Sequence, residues 1–463
     1  MSTLIRRYSM RKFFFFLFIS CSSPISDNTY RTIINKIPYH FDPRYHSSTL
    51  EEFIFEELLH CKLITFDAKS QIVFEVAKEL TWKNDTELFI KIHPHFTFSD
   101  KTPVRAQDIA ATYLSLEKIQ KSSRSISFPK IQNILVHNDH SLTFILHKPI
   151  PFFENFLLVG ILPENSSLEK IKNPISCGQY ITKSFNYKKA ILEHRKKKFH
   201  ISFEVILDDQ MKFLKLLKKE VNFISNSLSL SQLNSLRNNS DFIIKEIPAL
   251  STSYLSFNMR KLSDLNTRLY LRSLVDKKYI IKNLFKDLYF LSNGLLPDFF
   301  KVFKKYDNEI PFTKVTFNKP LKLITTTNPD FLQLATYLQQ EFKKENILLQ
   351  IYPYEWSLYV KKIVDNEGDL FLGSFIGFIA PDIFPFAYGS DFIPPKGLNR
   401  SFYQNADFDK ANLEQNYTKS QEILWNDPPA IFLWHGKSYV IFDKRLEGIY
   451  PTAQGRLSFL NNL

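Results

Sequence analysis

Apolar and polar residues follow their most regular pattern between residues 320 and 375. Leu321 and Leu323 take alternate places in PLKLITTT, the two-residue period of a half-buried strand. From 331 to 344 the step changes to three and four residues, through Phe331, Leu334, Ala335, Leu338 and Phe342. That spacing predicts an amphipathic helix with one buried face. A second strand is predicted over 347–352, a helix over 356–364 beyond Pro353, and a third strand over 369–375. Alternation of strands and helices with such short connections predicts parallel strands joined by right-handed crossovers. Ligands of such sheets gather beyond the carboxyl ends of the strands, here at 325–328, 354–356 and 375–382. Two of these three ends are aromatic, which suits a ligand wall and also suits packing beneath a covering helix.

Upstream, 88–98 and 142–147 alternate as strands do, and HNDH at 137–140 has the turn formers Asn138 and Asp139. Thr102-Pro103 opens a helical pattern that continues through Ala106, Ile109, Tyr113 and Leu116. A further helix is predicted across 266–284. No internal repeat is present.

The amino terminus carries a different signal. Arg11 and Lys12 precede the seven-residue apolar run Phe13 to Ile19, and small residues follow in FFFFLFISCSS. A spanning helix needs roughly 20 apolar residues, so this run predicts a secretory leader, with Met10 as an alternative start. Ser20-Cys21 resembles the end of a bacterial lipobox, although Phe18 stands where leucine is preferred. The expectation is removal of residues 1–20 and lipidation of Cys21, with 22–28 as a tether. An ordinary cleaved signal is the alternative. Attached acyl chains would keep the protein at a membrane surface.

The remaining 443 residues suffice for two or three domains. The net charge is +13, and the leader carries four of these charges. The other basic residues are scattered apart from Arg195-Lys196-Lys197-Lys198, without a helix-turn-helix or zinc-finger pattern, so no nucleic-acid partner is expected. Export permits a bridge between Cys61 and Cys177, but two isolated cysteines leave their separation open. Phe (45) and Tyr (21) are abundant and supply aromatic contact surface.

Catalytic motifs fail on inspection. HGKS at 435–438 lacks the upstream glycine that a phosphate loop needs, because Ile431 stands there. His93 and His95 lack a third metal ligand. No G-x-S-x-G or HExxH occurs. Binding, with no cofactor and no catalytic metal, is the expected activity.

The order of segments resembles the peptide-type solute-binding proteins of bacterial ABC importers, the oligopeptide and dipeptide receptors. Phe41-Asp42-Pro43 is similar to their Leu-Asp-Pro. LTWKNDTELFIKIHPHFTFSDKTPVRAQDI resembles their signature block, with Ser99, Asp100, Pro103 and Asp108 fitting and Lys101 in place of glycine. Ser176-Cys177-Gly178-Gln179-Tyr180 is similar to their Gly-x-Gly-x-Tyr, with the first glycine lost. Tyr254-LSFNM, Leu271-RSLVDKKYIIKNLF, Tyr403-QNADFD and Asp427-PPAIFLW continue the pattern.

The resemblance implies an α/β, two-lobed periplasmic-binding-protein-like fold with a hinge and an additional small domain. Lobe I would comprise 21–49, 162–250 and 430–463, the small appended domain 50–161, and lobe II 251–429. It implies closure over a ligand, a permease as partner, an extracytoplasmic location and a monomer. In these receptors a Trp ends the third strand, and an Asp three residues later pairs with the ligand's α-ammonium group. A gapless count from Trp356 places Phe375 and Phe378 there; a slip of one residue brings Asp382 into the motif. The family's arginines fall on Ile363 and Leu372, and an acidic residue of the facing lobe falls on Ser47. An unpartnered buried ammonium costs several kcal/mol, roughly tenfold in affinity per 1.4 kcal/mol. The expected ligand is therefore more apolar than a plain peptide, or lacks a free α-amine. Trp356, Phe375 and Phe378 would form its wall, with Ser47, Thr49 and His435 as polar contacts. A surface or sensory lipoprotein that no longer serves uptake is the alternative.

Overall fold

The computed structural model describes residues 28–46, 49–67, 72–119, 128–150, 153–298, 310–376, 383–394, 397–444, 446, 450–452 and 457–463. The three predicted parallel strands are Leu321–Thr326, Leu349–Tyr354 and Leu370–Ile376, with the first of them in the middle. Helix Pro329–Lys344 buries Phe331, Leu334, Ala335, Leu338 and Phe342, the face that the periodicity selects. The next strand starts two residues later than expected. Asn346 closes the helix in the left-handed region (φ 63°), and the Ile347 N–H donates to Phe342 O at 2.9 Å, a Schellman closure. Ile347 is thereby spent as a buried plug.

Helix Ala106–Ile119 begins four residues after Thr102. Asp100 Oδ1 accepts both the Thr102 hydroxyl (2.6 Å) and its N–H (3.0 Å), so Thr102 belongs to a turn. Asp108 then accepts from the Arg105 N–H (2.7 Å) and the Glu164 N–H (2.8 Å). The signature block is a structural knot. The helix expected across 266–284 is interrupted: Leu265–Ser273 ends, and Asp276 restarts the chain by accepting from the Tyr279 N–H at 2.8 Å. An aspartate that hydrogen-bonds the backbone competes with a continuous helix.

One mixed sheet runs through both lobes. The three parallel strands of lobe II meet Phe242–Phe257, which pairs antiparallel with Ala430–Asp443. These two long strands carry the sheet into lobe I, where Phe223–Ser225, Thr29–Ile34 and His200–Val205 continue it. A separate antiparallel sheet, Ala77–Asn84, Glu87–Ile92, Ser141–Leu146 and Ile131–Asn138, forms the small domain with helix Ala106–Ile119.

Helix Leu50–Leu59 packs Ile54, Phe55, Leu58 and Leu59 into the lobe I core with Phe41 and Tyr180. The small domain's core starts at Cys61, later than the expected boundary at 50. Cys61 and Cys177 are joined by a disulfide with their Cα atoms 5.1 Å apart. Gly178 sits against the end of that helix: its N–H donates to Leu59 O (2.7 Å), and a Cβ there would fall 2.5 Å from Leu58 O. That close approach explains the retained glycine. Among the described residues no helix is long and apolar enough to cross a membrane.

Candidate functional site

The carboxyl ends of the three parallel strands stand side by side. Asn328 caps helix Pro329–Lys344 by accepting from the Asp330 and Phe331 N–H groups at 2.9 and 3.2 Å. The Thr327 hydroxyl donates to Glu355 Oε1 at 3.2 Å, joining the first strand end to the second. Trp356 opens helix Trp356–Val364 and is 55% exposed. It stacks on Tyr359 with centroids 5.5 Å apart, and the Arg400 guanidinium lies 5.4 Å from its centroid.

Tyr359 is buried and donates its hydroxyl to Leu372 O at 2.8 Å. Tyr254 lies beside it, and Gly373 makes room for both: a Cβ there would fall 2.8 and 2.9 Å from their hydroxyl oxygens. Burial raises the Tyr254 phenol, while Arg400 opposes that shift by charge and hydrogen bond. No carboxylate pairs with Arg400 among the described residues. The strand ends thus offer an indole face and a guanidinium, backed by the buried Tyr254 and Tyr359, a set suited to a planar or apolar group that carries a carboxylate.

Strand parity separates the expected wall residues. Phe375 is 5% exposed and packs on Tyr254 (4.7 Å) and Tyr388 (5.9 Å), inside a core cluster. The expectation that its ring faces the cleft is revised: it points inward, and the next residue, Ile376, is 80% exposed. Ile363 and Leu372 are wholly buried, positions without room for a ligand-facing guanidinium. Phe378, Asp382, Ser47 and Cys21 lie outside the described residues. Thr49 accepts from the Glu52 N–H (3.4 Å), and Glu52 returns a bond to the Thr49 N–H (3.2 Å). Its oxygen is engaged as a helix cap, a role its place before LEEF allows.

His435 is fully buried at the junction of the lobes and does not reach the cleft surface. The Thr252 hydroxyl donates to Leu295 O (2.7 Å), so its oxygen accepts from His435 Nδ1 (2.9 Å) and fixes the tautomer. Burial lowers the imidazole to about 3. Next to it the pairing of the two long strands slips between Pro248 and Thr252. The Gly436 N–H donates to Ser251 Oγ at 3.2 Å, and a Cβ on Gly436 would fall 2.4 Å from that oxygen. Lys437 pairs with Glu246 at 3.2 Å on the lobe I side. This bulge is where the sheet passes from one lobe to the other.

Arg400 was not reachable from the sequence: it stands 24 residues beyond the third strand's end in no motif, and only folding brings it to Trp356. The exposure of Ile376 was readable in principle, because adjacent strand residues face opposite sides.

The description of bacterial extracellular solute-binding proteins, family 5 (middle), matches residues 71–392. The chain is 21% identical over 419 residues to the probable D,D-dipeptide-binding periplasmic protein of Escherichia coli K12, covering 80% of each. Two solved structures share the fold. One is a periplasmic murein tripeptide binding protein in its unliganded open form, with TM-score 0.80, 17% identity, and 94% and 96% of the chains covered. The other is a nickel ABC transporter protein of Bacillus halodurans, with TM-score 0.80, 15% identity, and 93% and 98% covered.

Proposed function

This chain belongs to the bacterial extracellular solute-binding proteins of family 5, and from that premise we propose that it captures a peptide or peptide-like ligand between its lobes for the permease of an ABC importer. The family is one of binding proteins, not enzymes. The observation that carries the reading is the pairing of exposed Trp356 with Arg400 at the strand ends, on a lobe joined to its neighbour through one bulged strand pair. The relatives named for a D,D-dipeptide and a murein tripeptide support a short peptide as the class.

Within that class the ligand is one without a free α-amine, or with an apolar group at that end. Its carboxylate meets Arg400, and its body lies on Trp356 and Ile376. Phe378, Asp382 and Ser47 are retained as contacts of the proposed site, and Cys21 as its lipid anchor.

The exported body, produced from residue 22 onward, is titrated with matched free-amine and N-acetylated short peptides, with bound mass read by native mass spectrometry. Preferential retention of acetylated peptides is expected, with at least a tenfold loss of affinity in Arg400→Ala. Equal or tighter retention of free-amine peptides overturns the ligand assignment. Failure to retain any peptide overturns the reading as a peptide receptor.

A further inference from the structure

A second cavity, of about 830 Å³, is lined by residues between 269 and 432 and shares no lining residue with the Trp356–Arg400 surface. Helices Leu265–Ser273 and Tyr417–Asn426, the turn at 293–295 and residues 310–312 line it. Leu269, Phe312, Leu424, Ile431 and Phe432 make most of its wall apolar. Two cations stand in that wall, Arg272 and Lys277, and its lining contains no Asp or Glu.

Neither cation is neutralised among the described residues. Arg272 donates Nη1 to Trp425 O at 2.8 Å and lies over the Trp425 ring, 4.8 Å from its centroid. Lys277 donates Nζ to Ser292 O at 2.6 Å. A guanidinium has five donors and an ammonium three, so one neutral carbonyl apiece leaves most of them unfilled. Burial lowers both groups, and the charge of Arg272 further lowers Lys277, which comes down to about 8. Two half-buried like charges with no carboxylate partner among the described residues favour an anion beside them. A single anion between them relieves the repulsion and fills the open donors.

We infer that this cavity binds an amphiphilic carboxylate of the fatty-acid class, with its head held by Arg272 and Lys277 and its chain along the apolar wall. The cation pair recognises the head and the aromatic and aliphatic lining excludes water from the tail. A free inorganic anion satisfies only half of that surface.

The probe is dodecanoate, titrated by calorimetry into the exported body below its micelle concentration. Binding of one molecule per chain is expected, with dodecanol at least tenfold weaker. Arg272→Leu combined with Lys277→Met is expected to weaken dodecanoate at least tenfold, while Lys277→Arg retains it and Trp356→Ala leaves it unchanged. No binding by the unmodified protein, or dodecanol binding as tightly as dodecanoate, overturns the inference without any variant having to fold. Loss of dodecanoate binding in a folded Trp356→Ala protein places the molecule in the cleft and overturns it as well. Peptide retention is read in the same preparations, so failure of one site is distinguishable from failure of the other.

Discussion

Lys101 holds a backbone conformation that L-residues avoid, with φ at 75° in the turn where the family pattern has glycine. Glycine adopts that region without the steric penalty of a Cβ. Lys101→Gly is expected to raise stability by about 0.5–1 kcal/mol, read as a higher urea midpoint with an unchanged slope. His435 provides a second test. Its ordinary value is 6.5 and its folded value about 3, so within that window the unfolded chain binds a proton that the folded chain does not. Its contribution to stability is complete above pH 6.5 and declines as pH falls, by about 1.4 kcal/mol per unit. Between pH 6.5 and 5 the natural protein should lose about 2 kcal/mol more than His435→Gln in urea titrations; parallel losses refute the assignment. Residue identities alone left His435 and Phe375 on the candidate surface because both types suit a ligand. Which side of a strand each faces depends on the strands beside it, and these come from distant parts of the chain.

At the scale of elements the chain is most legible where one helix covers one sheet face. The buried set of Pro329–Lys344 follows from spacing alone, and so does the alternation of its flanking strands. Asn328 sets where that helix begins, by satisfying two of its free N–H groups. Asn328→Ala is therefore expected to cost about 1 kcal/mol and to expose amide hydrogens of the first turn to faster exchange. Boundaries were illegible where a side chain captured the backbone. Asp100 withdraws Thr102 from its helix, Asp276 divides the helix expected over 266–284, and Asn346 shifts the following strand. Each is a short polar residue whose preference for a turn outweighs the apolar period around it.

The whole molecule was legible only through resemblance. Its large sheet pairs Thr29–Ile34 with Phe223–Ser225 and Phe223–Ser225 with Ala430–Asp443, separations that no local period encodes. We propose that the lobes close about the bulge at Ser251 and Gly436, where the pairing of the two long strands slips. In Gly436→Ala the new methyl group meets Ser251 Oγ at 2.4 Å, so that hydroxyl must turn away and give up its bond from the residue 436 N–H. That variant is expected to lose ligand-induced compaction in small-angle scattering, and Ser251→Ala is expected to restore part of it by vacating the oxygen. Unchanged compaction in Gly436→Ala removes this bulge from the closing movement.

The Cys61–Cys177 bridge bolts together the two places where the chain leaves lobe I for the small domain and returns from it. Backbone bonds from Ile161 N–H to Cys61 O (2.9 Å) and from Gly178 N–H to Leu59 O (2.7 Å) tighten the same spot. The chain's exit to the small domain and its return are therefore held side by side at the end of helix Leu50–Leu59.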